Sequence, residues 1–251
     1  MPNARRSILL LSCFLILASI PLSAMAGPRI VLYAAHGGED RGVSANGQDE
    51  KDWTLRLGLA LQKTLAADGF DVLMIRTKNE SIGYDNWVGQ INGSGAAAAV
   101  ILHADREWTG RTHGPWVIVE PPTGSNATDS QEIQRWGSMS FSQYRQSLRL
   151  ARALAVAWEV NPLLSPLSDS RALPGETPFA EGRVLASPHQ SLRNLAIPAV
   201  VVEPLFLTSS QDIKKFSTDE GIQDFVEKTA KGLQTYFQMS PNSTSAEVHP
   251  K

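Results

Sequence analysis

Short apolar segments alternate along this chain with segments of helical periodicity, and this alternation limits the possible folds more than any other feature. Apolar runs rich in β-branched residues predict strands at 29–34, 70–75, 97–103, 115–119 and 198–202. Apolar residues that recur at helical spacing predict helices at 51–67, 84–92, 141–160 and 222–237. Such alternation is typical of a mostly parallel sheet covered by helices. We therefore expect an α/β fold, a single domain built on a twisted, mostly parallel sheet flanked by helices on both faces.

The first 26 residues have the three parts of a secretory signal peptide. Arg5 and Arg6 precede an almost wholly apolar stretch at 8–20, and the small-x-small pattern Ala24-Met25-Ala26 precedes the expected cleavage after Ala26. A membrane anchor is the alternative, but the apolar stretch has about 13 residues, against the roughly 20 that a membrane-spanning helix needs. We expect a periplasmic or secreted protein with no stable membrane span after signal cleavage.

The charge and the cysteine count exclude several classes of protein. The formal net charge of -2 argues against a nucleic-acid partner, because nucleic-acid-binding proteins normally carry a basic excess. The only cysteine of the sequence, Cys13, lies within the predicted signal peptide, so the exported protein would have no disulfide bond. A zinc site would then have to use histidines and carboxylates as ligands.

Three polar segments interrupt or follow the alternating pattern. Residues 121–137 are rich in Ser, Thr, Asn and Gly and are expected to form a loop, whereas residues 161–182 contain four prolines. A connection as long as 161–182 is often functional in a compact domain, so it could shape or cover a cleft, or it could be passive. The tail at 240–251 is expected to be disordered.

Polar side chains follow three of the predicted strands. His36 comes shortly after the first strand, His103 ends the third, and Glu203 follows the strand at 198–202. Ligands of open α/β sheets bind beyond the carboxyl ends of the strands, so these residues share one edge. Glu50, just before a predicted helix, is a fourth candidate. Two imidazoles and a carboxylate form a common catalytic zinc site, and a further carboxylate near the water acts as general base.

Each of these four residues also has a purely structural alternative. His36 could occupy a turn, His103 could be a hydrogen-bonded core residue, and Glu50 could be favoured by the dipole at a helix N-terminus. Glu203 could pair with an arginine such as Arg183. The histidines that are not expected to be ligands are His113, His189 and His249.

Five motifs occur in an order that resembles one enzyme family. They are the strand and loop at 30–42 with His36-Gly37-Gly38, the segment Gly47-Gln48-Asp49-Glu50-Lys51-Asp52, the segment Gly69-Phe70-Asp71-Val72 followed by Arg76-Thr77, the segment Ile101-Leu102-His103-Ala104-Asp105, and the segment at 198–207 that contains Glu203. The chain thereby resembles the zinc-dependent N-acetylmuramoyl-L-alanine amidases of the type 3 family, which cleave bacterial cell walls. The resemblance covers about 29–237.

The resemblance implies a phosphorylase/hydrolase-like α/β fold and an amidase-like catalytic domain at 27–239. It implies that His36, Glu50 and His103 bind Zn²⁺ and that Glu203 is the general base that acts on zinc-bound water. The implied reaction is hydrolysis of the amide between N-acetylmuramic acid and L-alanine in peptidoglycan. Peptidoglycan is then the substrate, and a protein activator is a possible further partner.

The chain departs from the family pattern at three places next to these residues. The family usually has Asp-Pro-Gly before the first histidine, Ser before the second and Gly after the glutamate. This chain has Tyr33-Ala34-Ala35, Leu102 and Pro204. Such neighbours tune metal sites. Two alternative functions stay open, and the departures motivate the first. One is a non-catalytic peptidoglycan-binding or regulatory protein on the same fold. The other is a related zinc carboxypeptidase, which would trim stem peptides without freeing an L-alanine amino terminus.

Overall fold

The computed structural model describes residues 27–106, 112–122, 140–166 and 183–238. The predicted signal peptide, the expected tail and most of the segments 121–137 and 161–182 lie outside the described residues. In chain order the elements are β1 (Arg29–Ala34), β2 (Ser44–Ala45), β3 (Gln48–Asp49), α1 (Glu50–Ala67), β4 (Asp71–Met74), α2 (Tyr84–Gly93), β5 (Ala98–Leu102), β6 (Trp116–Val119), α3 (Phe141–Ala157), β7 (Leu164–Pro166), β8 (Val184–Ala186), a 3₁₀ turn (Gln190–Leu192), β9 (Ala199–Glu203), α4 (Ser210–Phe216) and α5 (Asp219–Gln238).

The central sheet is mostly parallel. Within the described residues it has seven strands in the order β4-β1-β5-β9-β6-β8-β7. Neighbouring strands are parallel except β6 and β9, which are antiparallel, so the last three strands run opposite to the first four. Strands β2 and β3 form a separate hairpin whose turn residues, Asn46 and Gly47, both have positive φ. The α/β fold with a mostly parallel sheet is confirmed.

Apolar side chains cover the sheet on both faces, which explains why its strands are continuous hydrophobic runs rather than alternating ones. In β1, Ile30 and Leu32 join a large cluster under helices α1, α3 and α5, whereas Val31 and Tyr33 join a smaller cluster with helix α2. Both faces are therefore covered by helices. No helix in the described part of the chain is long and apolar enough to cross a membrane.

Several short elements are absent from the sequence-based expectation. Strand β8 contains two buried apolar residues, Val184 and Leu185, which are too few to produce a pattern. Helix α4 begins with a Ser-x-x-Asp pattern, in which the Ser209 hydroxyl accepts a hydrogen bond from the Asp212 amide at 3.3 Å. This capping pattern is visible in the sequence, but the sequence-based expectation did not include the helix. Helix α3 ends three residues before the predicted end, and Glu203 is the last residue of β9 rather than the first after it.

Candidate metal centre

The candidate residues meet at one edge because three neighbouring strands, β1, β5 and β9, are parallel and in register. Ala34 of β1 lies beside Leu102 of β5, and Leu102 lies beside Val202 of β9. His36, His103 and Glu203 follow these residues by two, one and one positions. The register of the sheet therefore brings together residues that are far apart in the sequence.

The loop that carries His36 has a strained and closely packed backbone. His36 itself has a φ of 64°, in the left-handed region that non-glycine residues rarely adopt. The two following glycines also have positive φ, and a Cβ atom on Gly37 would collide with the carbonyl oxygen of Glu80. Residues held in such conformations cluster at functional sites, where the surrounding structure over-determines them. The His36-Gly37-Gly38 motif thus has a conformational basis.

A fully buried arginine joins the end of β1 to the start of α1. Arg76 is 1% exposed, and its guanidinium donates to the carbonyls of Ala34 at 2.7 Å, Ala35 at 3.2 Å and Lys51 at 2.7 Å. Since these acceptors are backbone atoms, the residues that depart from the family pattern here can still supply them. Arg76 fixes the positions from which His36 and Glu50 project.

The Glu50 carboxylate lies between the two histidines and is 2% exposed. Its Oε1 is 2.8 Å from Nδ1 of His103 and accepts from the Ala104 amide at 3.0 Å. Its Oε2 is 3.3 Å from Nε2 of His36 and accepts from the Val43 amide at 2.8 Å. Burial alone would raise the pKa of Glu50, but the two imidazoles outweigh burial and hold it far below its usual range. Glu50 is therefore a carboxylate anion at neutral pH.

Three donor atoms, one each from His36, Glu50 and His103, lie within 4.8 Å of one another. Burial lowers the pKa of His36, but the Glu50 and Asp40 carboxylates outweigh burial and raise it to about 9. Nδ1 of His36 lies 2.8 Å from Oδ2 of Asp40, so the ring is held between two carboxylates. This group of three is positioned to bind a metal ion.

Glu203 is buried beside the three-residue group and is 1% exposed. Its Oε2 accepts from the Asp105 amide at 3.0 Å, whereas the preceding amide, that of Ala104, donates to Glu50. Burial, followed by the charges of Glu50 and Asp105, raises the pKa of Glu203 well above its usual value, although the Asp105 amide opposes this. Two carboxylates whose pKa values are shifted in opposite directions thus accept hydrogen bonds from consecutive backbone amides.

The alternative pairing of Glu203 with Arg183 is not present among the described residues. The Arg183 guanidinium instead donates to the His113 carbonyl and lies 4.9 Å from the centre of the Trp116 ring. Glu203 is therefore a buried acid whose charge no arginine neutralises within the described part of the chain.

Sequence reasoning missed a contact on the far side of His103. Nε2 of His103 is 2.9 Å from the hydroxyl of Ser191, and the His189 ring lies edge-on to the His103 ring at 5.1 Å. His189 does not belong to the three-residue group. Residues 187–192 contain no catalytic motif, so only the fold brings Ser191 to the site.

Comparisons with known proteins identify the family of this chain. The model of the N-acetylmuramoyl-L-alanine amidase family matches residues 30–235. The N-acetylmuramoyl-L-alanine amidase CwlM of Bacillus licheniformis is 24% identical over 219 residues, which are 86% of this chain and 72% of that relative.

Solved structures support the same fold. An N-acetylmuramoyl-L-alanine amidase from Clostridium difficile 630 superposes with a TM-score of 0.63 at 20% identity, over 86% of this chain and 99% of that one. The CwlD amidase of Clostridioides difficile, solved in complex with the GerS lipoprotein, superposes with a TM-score of 0.62 at 18% identity, over 84% and 98%. The predicted family and class of enzyme are confirmed, and the chain belongs to the N-acetylmuramoyl-L-alanine amidase family.

Proposed function

We propose that this chain hydrolyses the amide between N-acetylmuramic acid and L-alanine with a zinc ion held by His36, Glu50 and His103, and with Glu203 as general base. The reaction is that of the family to which the chain belongs. The observation that carries the proposal is the convergence of three donor atoms within 4.8 Å, next to a buried carboxylic acid of raised pKa.

The donor set suits zinc. Zinc accepts imidazole nitrogens and carboxylate oxygens, and three protein ligands leave a fourth position open in catalytic sites. A buried carboxylate is costly unless it is paired or bound to a metal, and a bound cation would compensate Glu50. When bound, zinc would lower the pKa of a coordinated water to about 7 and polarise the scissile carbonyl.

Glu203 is suited to move protons at this site. A raised pKa makes a carboxylate a stronger base, and a nearby cation would favour its ionised form. Glu203 would accept the proton of the attacking water and then deliver it to the leaving amine of L-alanine. The Asp105 amide donates to Oε2 at 3.0 Å, so the backbone helps to orient this carboxylate.

Export and a protein partner belong to the same proposal. The predicted signal peptide supports a periplasmic or secreted location, where peptidoglycan is accessible. The complex of the similar CwlD amidase with a lipoprotein supports a protein partner for this chain as well.

Digestion of isolated peptidoglycan by the purified protein tests the proposed reaction. We expect stem peptides with a newly free L-alanine amino terminus, loss of this release with a chelator, and recovery when zinc is added. Stem peptides shortened at the carboxyl end would instead support the carboxypeptidase alternative. No products from folded, zinc-loaded protein, with or without candidate partners, would favour the non-catalytic alternative.

Two variants separate the roles of the residues. Glu203→Gln should abolish release while one zinc ion per chain is retained, because Glu203 is not a proposed ligand. His103→Ala should lose zinc and activity together. The matched control is Glu159→Gln, since the Glu159 carboxylate is exposed and pairs with Lys228. Wild-type turnover in Glu203→Gln would contradict the role proposed for Glu203.

A further inference from the structure

Both ring nitrogens of His103 have a polar partner, and the two partners lie on opposite sides of the ring. Nδ1 faces Oε1 of Glu50 at 2.8 Å, and Nε2 faces the Ser191 hydroxyl at 2.9 Å. Nδ1 is therefore the nitrogen that can offer a lone pair to a metal held with Glu50. A neutral imidazole with a lone pair on Nδ1 carries its proton on Nε2.

The backbone of Ser191, which carries this hydroxyl, is held in place by a chain of contacts. The Ser191 amide donates to Nδ1 of His189 at 3.2 Å, and the His189 amide donates to Oε2 of Glu120 at 2.7 Å. The next residue, Leu192, is 1% exposed and packs in the smaller hydrophobic cluster. Ser191 is thus anchored both to the residue after β6 and to the core, so its contact with His103 does not depend on a free loop.

We propose that Ser191 is a positioning residue that accepts a hydrogen bond from the Nε2 proton of His103 and so directs the lone pair of Nδ1 toward the metal. The inference rests on the metal role of His103 proposed above. A histidine that binds a metal usually donates its other ring proton to an acceptor that fixes the ring orientation and the tautomer. Ser191 provides that acceptor at hydrogen-bonding distance.

The affinity for zinc alone, measured by competition with a chromophoric chelator, tests the inference without any need for turnover. Ser191→Ala should weaken zinc binding by about 10- to 100-fold, the usual range for the loss of such a contact. Ser191→Thr keeps the hydroxyl and should restore most of the affinity. Ser187→Ala is the matched control, because Ser187 lies on the same segment and its hydroxyl contacts only the Pro188 carbonyl, at 3.4 Å, among the described residues.

A second measurement excludes a general structural effect. In zinc-loaded protein with ¹⁵N-labelled histidine, the Nε2 proton of His103 should exchange slowly with water in the wild type and fast in Ser191→Ala. The melting temperature of the metal-free proteins should be similar. Equal zinc affinities of the wild type and Ser191→Ala would overturn the inference alone. Failure of the wild type to bind zinc would overturn the proposed metal site, and the inference with it.

Discussion

The two histidines of the candidate metal centre are supported in different ways. The hydrogen-bond acceptor of the His36 ring is the carboxylate of Asp40, which lies four residues further along the same loop. His103 has its acceptor, Ser191, 88 residues further along the chain, and the acceptor is a neutral hydroxyl. Glu50 lies between the two rings and contacts both. One half of the site is therefore local and charged, and the other half is assembled by the fold.

The two halves also differ in how the backbone presents the ring. His36 follows β1 in a left-handed conformation that glycines and the buried Arg76 maintain. His103 continues directly from β5, and its amide donates to the Val202 carbonyl of β9 at 3.0 Å. A strained loop needs specific residues to hold it, whereas an extension of a sheet strand needs only the strand register. We therefore expect the His36 half to be the more sensitive to changes in its own loop.

Loss of the residue shared by both halves should have the largest effect. Glu50→Gln removes the anionic ligand and leaves two imidazoles without a carboxylate between them. Zinc affinity should fall by more than about 100-fold, the upper limit for residues that only support a ligand, and peptidoglycan hydrolysis should be lost. Competition with a chelator and product analysis measure the two effects. The control is Asp52→Asn, an exposed change two residues further along α1, which should leave zinc affinity and hydrolysis unchanged. A fall in zinc affinity of less than tenfold in Glu50→Gln would remove Glu50 from the ligand set.

A pair of glycine variants tests whether the His36 loop must be closely packed. A Cβ atom on Gly42, where φ is 63°, would lie 2.5 Å from Oε2 of Glu50 and 2.7 Å from Cδ2 of His36. Gly47 has a similar φ of 75°, but a Cβ atom there would have no neighbour within 4 Å among the described residues. Each alanine variant should lower the free energy of unfolding by about 1–3 kcal/mol because of the positive φ.

Only Gly42→Ala should also weaken zinc binding, because Glu50 or His36 must move to admit the methyl group. Thermal unfolding of the metal-free proteins and chelator competition separate the two contributions. Equal zinc affinities for Gly42→Ala and Gly47→Ala would mean that the site tolerates displacement, and the proposed difference between the two halves would then disappear.

The contrast between the halves also explains what could be predicted from the sequence. His36 and Glu50 belong to motifs of a few residues, and His103 and Glu203 end apolar runs that predict strands. Parallel strands bring such ends to one edge, so His36, His103 and Glu203 could be placed together from the sequence. Glu50 follows no predicted strand, and its place in the ligand set rests on the family resemblance. Their roles as ligands and base stay predictions that the proposed experiments test.

Ser191 could not be predicted, because its neighbourhood depends on β8 and on a 3₁₀ turn that have no clear sequence pattern. The antiparallel pairing of β6 with β9 could not be predicted either, because an apolar run does not indicate whether its strand is parallel or antiparallel to a neighbour. The hairpin of β2 and β3 was predictable and was missed. Its Asn46-Gly47 turn is the strongest short-range signal for a hairpin, and the hairpin leads directly into Glu50 at the start of α1.

The smallest expected effect is on zinc affinity, and it follows from the charge that Asp40 has and Ser191 lacks. This effect should depend on pH. The pKa of His36 is about 9 in the metal-free protein, because the Glu50 and Asp40 carboxylates outweigh the lowering effect of burial. Zinc must displace this proton, so zinc affinity should rise with pH up to about 9. Asp40→Asn should weaken zinc binding about tenfold at pH 9, through the loss of the charged acceptor. Near neutral pH the deficit should be smaller, because the variant lowers the pKa of His36 and so weakens competition by the proton. Chelator competition across this pH range measures the ratio of the zinc affinities of the wild type and Asp40→Asn, and the exposed Asp85→Asn variant is the control. A ratio that is constant with pH would show that Asp40 does not hold the proton of His36.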